Sequence, residues 1–198
     1  FTYKNVHDLQ IGDLLVINKN EQTNGKILID KSKPIENKNG WFNKIDLIPD
    51  FVNKEFAQLF GFLVGDGWIP KSNNQVNFAL SVYDDMNNYY ITLLEKYSGQ
   101  KIKITNNRQA KLNSKLLKTI LQRMGFNGKS YEKRIPSWVF EIDAECQKAF
   151  IDGLMDADGW TTKDKWITSF HIELNNKPLI EDLKILLQRL GYKTGSIR

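Results

Sequence analysis

Displacing the sequence by 92 positions lays one half of it on the other. Ala57 falls on Ala149, Gly61 on Gly153, Asp66 on Asp158, Gly67 on Gly159, Trp68 on Trp160 and Lys71 on Lys163, while Leu59, Phe62 and Leu63 meet Ile151, Leu154 and Met155. A second alignment, of 183–192 on 117–126, reflects two amphipathic helices ending in glycine, so the register rests on the Asp-Gly-Trp segments. A tandem duplication of this kind requires two copies of one structural plan. Within the first copy Phe56, Ala57, Leu59, Phe60, Phe62, Leu63 and Val64 cover most of the circumference of a helix, which must therefore be buried. The Asp66-Gly67 step is expected to close that helix, with Gly67 left-handed.

Downstream, 75–82 alternates as a strand, with Val76, Phe78, Leu80 and Val82 on one face and Gln75, Asn77, Ala79 and Ser81 on the other. A helix is expected over 85–98 ending at Gly99, an alternating segment over 101–105, a loop or strand end at 106–109, and a helix over 114–124 capped by Gly125. In the second copy a strand is expected at 165–173 and a helix at 183–190 before Gly191. The pattern is α+β. Residues 1–50 differ: short apolar pieces between polar turns, ending with Pro34 and Pro49, read as a short β-rich segment and a linker.

Composition excludes several classes. With 41% hydrophobic and 26% charged residues the chain is not disordered, and its longest apolar run, around 60–64, is far short of the roughly 20 residues that cross a bilayer. One cysteine, Cys146, cannot close an intramolecular disulfide, and two histidines, His7 and His171, are too few for a zinc finger, so an intracellular setting is expected. The net charge of +5, from 23 Lys and 5 Arg against 23 acidic groups, suits a polyanionic partner.

The duplicated segments carry the chemistry. Small residues at i, i+4 spacing, Gly61 and Gly65 in one copy and Gly153 and Ala157 in the other, give each helix a face without bulk. Each stripe is followed by an aspartate in the last turn, where the helix already presents partial negative charge and unpaired carbonyls. If the helices pair about a pseudo-twofold axis, Asp66 and Asp158 converge, and their repulsion calls for a cation between them. Oxygen ligands of this kind suit Mg²⁺ and a metal-assisted attack on a phosphodiester, with a nearby lysine to neutralise charge on the phosphorus. One Asp-Gly alone is a turn signal; two in matched settings are not explained by turn chemistry. Asp152 and Asp156 align with Phe60 and Val64, so they are expected to make local contacts or face solvent.

The segments Leu59-Phe60-Gly61-Phe62-Leu63-Val64-Gly65-Asp66-Gly67 and Ile151-Asp152-Gly153-Leu154-Met155-Asp156-Ala157-Asp158-Gly159 resemble the two motifs of a monomeric LAGLIDADG homing endonuclease, the second closely. The resemblance implies a pseudo-twofold pair of αββαββα units whose saddle-shaped antiparallel sheets enter successive major grooves of double-stranded DNA. It implies that Asp66 and Asp158 hold catalytic Mg²⁺ (or Mn²⁺ as a substitute), with the Gly65 and Ala157 carbonyls as backbone ligands. Lys133-Arg134-Ile135-Pro136 resembles the Lys-x-Ile-Pro block of intein-encoded members, which gives Lys133 a catalytic role. Residues 6–16 are similar to a Leu-x-x-Gly-Asp stretch of intein splicing domains, although self-splicing residues are lacking.

On this reading 1–50 is the end of a splicing domain plus linker and 51–198 the endonuclease domain, with repeat 1 at about 54–126, a linker at 127–144 and repeat 2 at about 145–198. Repeat 2 is expected to be truncated by about twenty residues relative to the first. Candidate groove-facing residues are Lys71, Asn73, Gln75, Asn77, Lys101, Lys103, Arg108, Gln109, Lys111, Lys163 and Lys165, the amides and arginine reading bases and the lysines holding phosphate. The expected function is a site-specific, metal-dependent double-strand endonuclease from an intein; the alternative is a non-cleaving nucleic-acid-binding protein of the same fold, an intron maturase or a DNA-binding regulator.

Overall fold

Two helices, α1 (Lys54–Asp66) and α4 (Ala144–Asp158), lie against each other along the centre of the molecule. They approach to backbone contact. In the computed structural model, which describes residues 8, 10, 25–31, 42–80, 86–105, 109–126, 129–164 and 168–197, a methyl group added at Gly61 would lie 2.0 Å from the Phe150 carbonyl oxygen. One added at Gly153 would lie 1.9 Å from that of Gln58. Gly61 also faces the Leu154 nitrogen and Gly153 the Phe62 nitrogen, so each contact is the other displaced by 92 positions. Such reciprocity is what a two-fold operator produces.

Around this seam the order is α1, β1 (Gly67–Trp68), β2 (Gln75–Ala79), α2 (Met86–Ser98), β3 (Lys103–Thr105), β4 (Gln109–Asn113) and α3 (Lys115–Arg123), and then α4, β5 (Gly159–Lys163), β6 (Thr168–Ile172) and α5 (Lys177–Arg189). Short 3₁₀ turns at Ser130–Glu132 and Ser137–Phe140 connect α3 to α4. The architecture is α+β, with an antiparallel four-stranded sheet in the order β1-β2-β4-β3 and an antiparallel β5-β6 pair.

Alternation dictates the inner face of the larger sheet: Val76, Phe78, Ala110 and Leu112 are buried beneath the helices. Aromatic rings fill the space around α1. Phe60 meets Phe126 and Trp138 edge-on at centroid distances of 6.0 and 5.1 Å, and Phe62 stacks on Tyr90 at 3.7 Å. The Trp138 indole N–H donates to the Met124 carbonyl at 2.7 Å, so the buried ring leaves no polar atom unpaired. Asn53, Ser114, Asp143 and Asn176 cap α1, α3, α4 and α5 by accepting from backbone N–H groups.

Two expectations are corrected. Gly67 is extended, with φ −86° and ψ 157°, because the chain passes straight from α1 into β1. Glycine is needed there for space: a Cβ would sit 2.6 Å from the Leu63 carbonyl oxygen. Among the described residues the left-handed glycines are Gly99, Gly125 and Gly191, which follow α2, α3 and α5. The second correction is β4: Gln109 opens a five-residue strand that pairs along the whole of β2.

From the first fifty residues, 25–31 and 42–50 lie on this body. Ile29 and Ile48 join the core, the Ile29 N–H donates to Asp50 O at 2.8 Å, and isolated bridges link Gly25 to Ile142 and Leu28 to Phe51. Of the stretch at 6–16, only Asp8 and Gln10 are described. Among the described residues no helix is long and apolar enough to cross a membrane.

Candidate functional site

The close approach of α1 and α4 decides what can stand at their C-terminal ends. Asp66 and Asp158 are the last residues of the two helices, and each is followed directly by a strand. A Cβ on Gly65 would fall 2.4 Å from the Ala157 methyl and 2.8 Å from Asp158 Oδ2. The Asp158 carboxylate thus reaches across the seam into space left by the missing side chain of Gly65.

Lys133 enters the same spot from the segment after Ser130–Glu132. It is 5% exposed, and its ammonium donates to the Gly65 carbonyl at 2.8 Å and to Leu63 O at 3.4 Å. The carbonyl end of α1 is a favourable place for a cation. Burial lowers the Lys133 pKa to about 8, against the opposing pull of Asp158 and Asp66.

The carboxyls move the other way. Asp66 is pushed up to about 7, first by burial and then by the charge of Asp158, with Lys133 working against both. Asp158 is raised by burial, again opposed by Lys133. Repulsion belongs to the pair, so without a bound cation the site retains a proton near neutral pH.

The donor set fits a hard divalent ion. It consists of oxygens, two carboxylates with helix-terminal carbonyls beside them; among the described residues no group of three or more His, Cys, Asp or Glu gathers, at the seam or away from it. Two carboxylates leave room for water and phosphate oxygens. The Gly65 carbonyl already accepts from Lys133, and Ala157 packs its methyl against Gly65.

Asp156 lies apart from this constellation: it accepts hydrogen bonds from the Tyr90 hydroxyl and, at 3.4 Å, from Gln58 Nε2. Asp152 is exposed, its carboxyl raised by partial burial and by Asp156.

The outer face of the larger sheet is polar. Register aligns Trp68, Asn77, Lys111 and Lys103 in one row across β1, β2, β4 and β3, with Gln75–Asn113 and Ala79–Gln109–Thr105 as flanking rows. Lys103 and Lys111 stand directly opposite each other, an arrangement that favours a bound anion. Asn77 is covered, with its amide beside the Trp68 indole N–H. Lys71 and Asn73 are exposed in the bend between β1 and β2. Lys101 precedes β3 and pairs with Glu95, and Lys163 ends β5 opposite Thr168. Arg108 and Lys165 lie outside the described residues.

Sequence reasoning missed what holds Lys133. Asn176 Nδ2 donates to the Ser130 and Lys133 carbonyls at 2.7 and 2.8 Å, and Asp182 binds the Arg134 guanidinium through two bonds of 2.6 Å and the Ile135 N–H at 3.2 Å. A signal existed: Asp182 interrupts the apolar stripe Leu179, Leu183, Leu186 of α5.

The chain is similar to an iron-sulfur cluster assembly SufBD family protein of Mycobacterium leprae, 31% identical over 143 residues that make up 70% of this chain and 16% of the relative. It is 30% identical over 156 residues to the replication factor C small subunit of Methanocaldococcus jannaschii, covering 76% of this chain and 8% of that protein. It is 29% identical over 124 residues to RecA of Mycobacterium tuberculosis, covering 58% and 15%. The chain spans less than a fifth of the length of each of these relatives. The family model of the LAGLIDADG-like domain matches residues 145–195, from the first turn of α4 to beyond α5.

Proposed function

We propose that the chain is the endonuclease part of an intein, cutting double-stranded DNA at a long specific site with Mg²⁺, for which Mn²⁺ substitutes. The observation that carries this reading is the meeting of Asp66, Asp158 and Lys133 at one end of a backbone-close helix seam. Bound there, the ion would activate water, grip the scissile phosphate and stabilise the leaving oxygen. Asp66 and Asp158 would hold it, with the Gly65 and Ala157 carbonyls as further donors. Lys133, whose ammonium is already held at the carbonyl end of α1 by Gly65 O and Leu63 O, would neutralise charge gathering on the phosphate. The outer sheet face, with Gln75, Gln109, Lys103 and Lys111, would lie in a major groove, which admits a β ribbon.

The intein origin is supported by the relatives themselves. Their names share no activity, yet each carries a matching segment that is a small part of its length, the behaviour of an element inserted into unrelated hosts. On that reading residues 1–50 belong to the splicing side, 51–198 form the endonuclease body, and the element order after α4 is a partial second copy of the αββαββα unit. The lysine rows alone would equally serve a protein that binds DNA without cutting it. A cleavage assay against a library of long duplexes separates the two: Mg²⁺-dependent double-strand breaks, lost by about 10³-fold or more in Asp66→Asn and Asp158→Asn with binding retained, are the expected result. Binding without any cutting by the wild type would favour the non-cleaving protein.

A further inference from the structure

The buried polar groups at α5, Asn176 and Asp182, touch neither aspartate of the seam, yet both bond the segment that delivers Lys133. Asn176 and Asp182 are 5% and 8% exposed, and they grip the backbone of 130–135 from one side. Asp182 stands among the buried leucines of the inward stripe of α5, so stability alone does not account for it: an apolar residue there would avoid the desolvation of a carboxylate. Its partner Arg134 is largely exposed, and an ion pair open to water contributes little to folding. What the pair does contribute is geometry, because a two-pronged guanidinium–carboxylate contact fixes direction. Asn176 acts at the other end. Its carbonyl oxygen caps α5 at Leu179 N, and its NH₂ group ties down Ser130 O and Lys133 O.

We propose that Asn176 and Asp182 are positioning residues, which fix the 130–135 segment to α5 so that the Lys133 ammonium is held at the C-terminal end of α1. This rests on the proposed function for its catalytic consequence, but not for the placement itself. The clamp joins α5 to the lysine seated at the C-terminal end of α1. Any shift of α5 relative to the seam therefore moves Lys133, whereas Asp66 and Asp158 stay fixed by their own helices.

The test uses the two functions of Asn176. Asn176→Asp keeps the oxygen that caps α5 and removes the two donations to Ser130 O and Lys133 O, so a residue that only caps the helix would tolerate it. Lys133 accessibility is read by amine acylation and mass spectrometry on the whole chain in metal-free buffer, with far-ultraviolet circular dichroism to verify the fold. The expected result is a wild-type Lys133 that labels at least about tenfold more slowly than the exposed Lys103, and a loss of that protection in Asn176→Asp and in Asp182→Ala. In the cleavage assay the same variants should lose about tenfold or more in kcat with little change in KM, as displaced supporting groups do. Protection of Lys133 retained in both folded variants overturns the proposal. If the wild type cuts no DNA, the proposed function fails, and the labelling result still decides the placement.

Discussion

The two halves that meet at the α1–α4 seam are nearly interchangeable at the seam and unlike everywhere else. At the contact itself Gly61 and Gly153 make the same approach with partners displaced by 92 positions. Away from it, the first half supports α1 with a four-stranded sheet, α2 and α3, whereas the second shows β5, β6 and α5. In the first, Asn77 is covered beside Trp68; in the second, the register equivalent pair is Trp160 stacked on His171, with Trp160 48% exposed. The lesson is that the seam tolerates almost no variation because backbone meets backbone, while the sheets vary because they meet the seam through side chains.

The largest expected effect breaks the common part. Gly61→Val or Gly153→Val would place carbon atoms inside a carbonyl of the partner helix, and because a backbone cannot yield as a side chain does, each should cost more than about 4 kcal/mol and abolish folding. The two should fail alike in thermal denaturation. A folded Gly61→Val beside an unfolded Gly153→Val would end the claim of reciprocity.

The next effect sharpens the unlike part. Phe78, fully buried under α1, and Phe170, 68% exposed on β6, lie on the strand faces opposite Asn77 and His171 respectively. Phe78→Ala should cost about 3–5 kcal/mol, and Phe170→Ala should stay within about 0.5 kcal/mol. Urea denaturation of this chain measures both. A large loss on the Phe170 side would mean that the second sheet is covered.

These contrasts explain what could be read from sequence. The α1 helix, its small-residue stripe and the paired aspartates were legible because burial on all sides and glycine at i, i+4 leave a periodic trace in one local stretch. Strand β4 was not, because Ala110 and Leu112 alternate with Gln, Lys and Asn too briefly to stand out from a loop. Gly67 misled since glycine serves close approach as well as positive φ, and residue type alone does not tell these apart. The clamp on Lys133 joins residues more than forty positions apart, and only the fold brings α5 onto that segment.

A smaller effect tests the site. In metal-free buffer the unfolded chain releases the Asp66 proton near pH 4, while the folded chain keeps it to about 7. The folded state therefore binds more protons across that window, and its stability should fall as pH rises from about 4 to about 7. Asp66→Asn removes the fall and should raise stability at pH 8 by about 1–3 kcal/mol, allowing for solvent that reaches the site, or several degrees in Tm. Added Mg²⁺ should raise Tm of the wild type and leave Asp66→Asn unmoved. A flat profile in the wild type would show that neither burial nor the charge of Asp158 holds the Asp66 proton.

The smallest effect compares the sheets as DNA surfaces. Lys103 and Lys111 share one outward row with Asn77, so each should contribute one released counterion on binding a phosphate backbone. Lys163 is different: alternation along β5 sets it with Thr161, opposite Phe170, on the row away from Trp160 and His171. In a salt titration of duplex binding, Lys103→Ala and Lys111→Ala should each reduce the log–log slope by about 0.9, and Lys163→Ala by less. Equal losses for all three would place Lys163 on the DNA side despite its row, and would require the β5–β6 pair to twist there, because residues of opposite parity on a flat strand cannot face the same phosphate backbone.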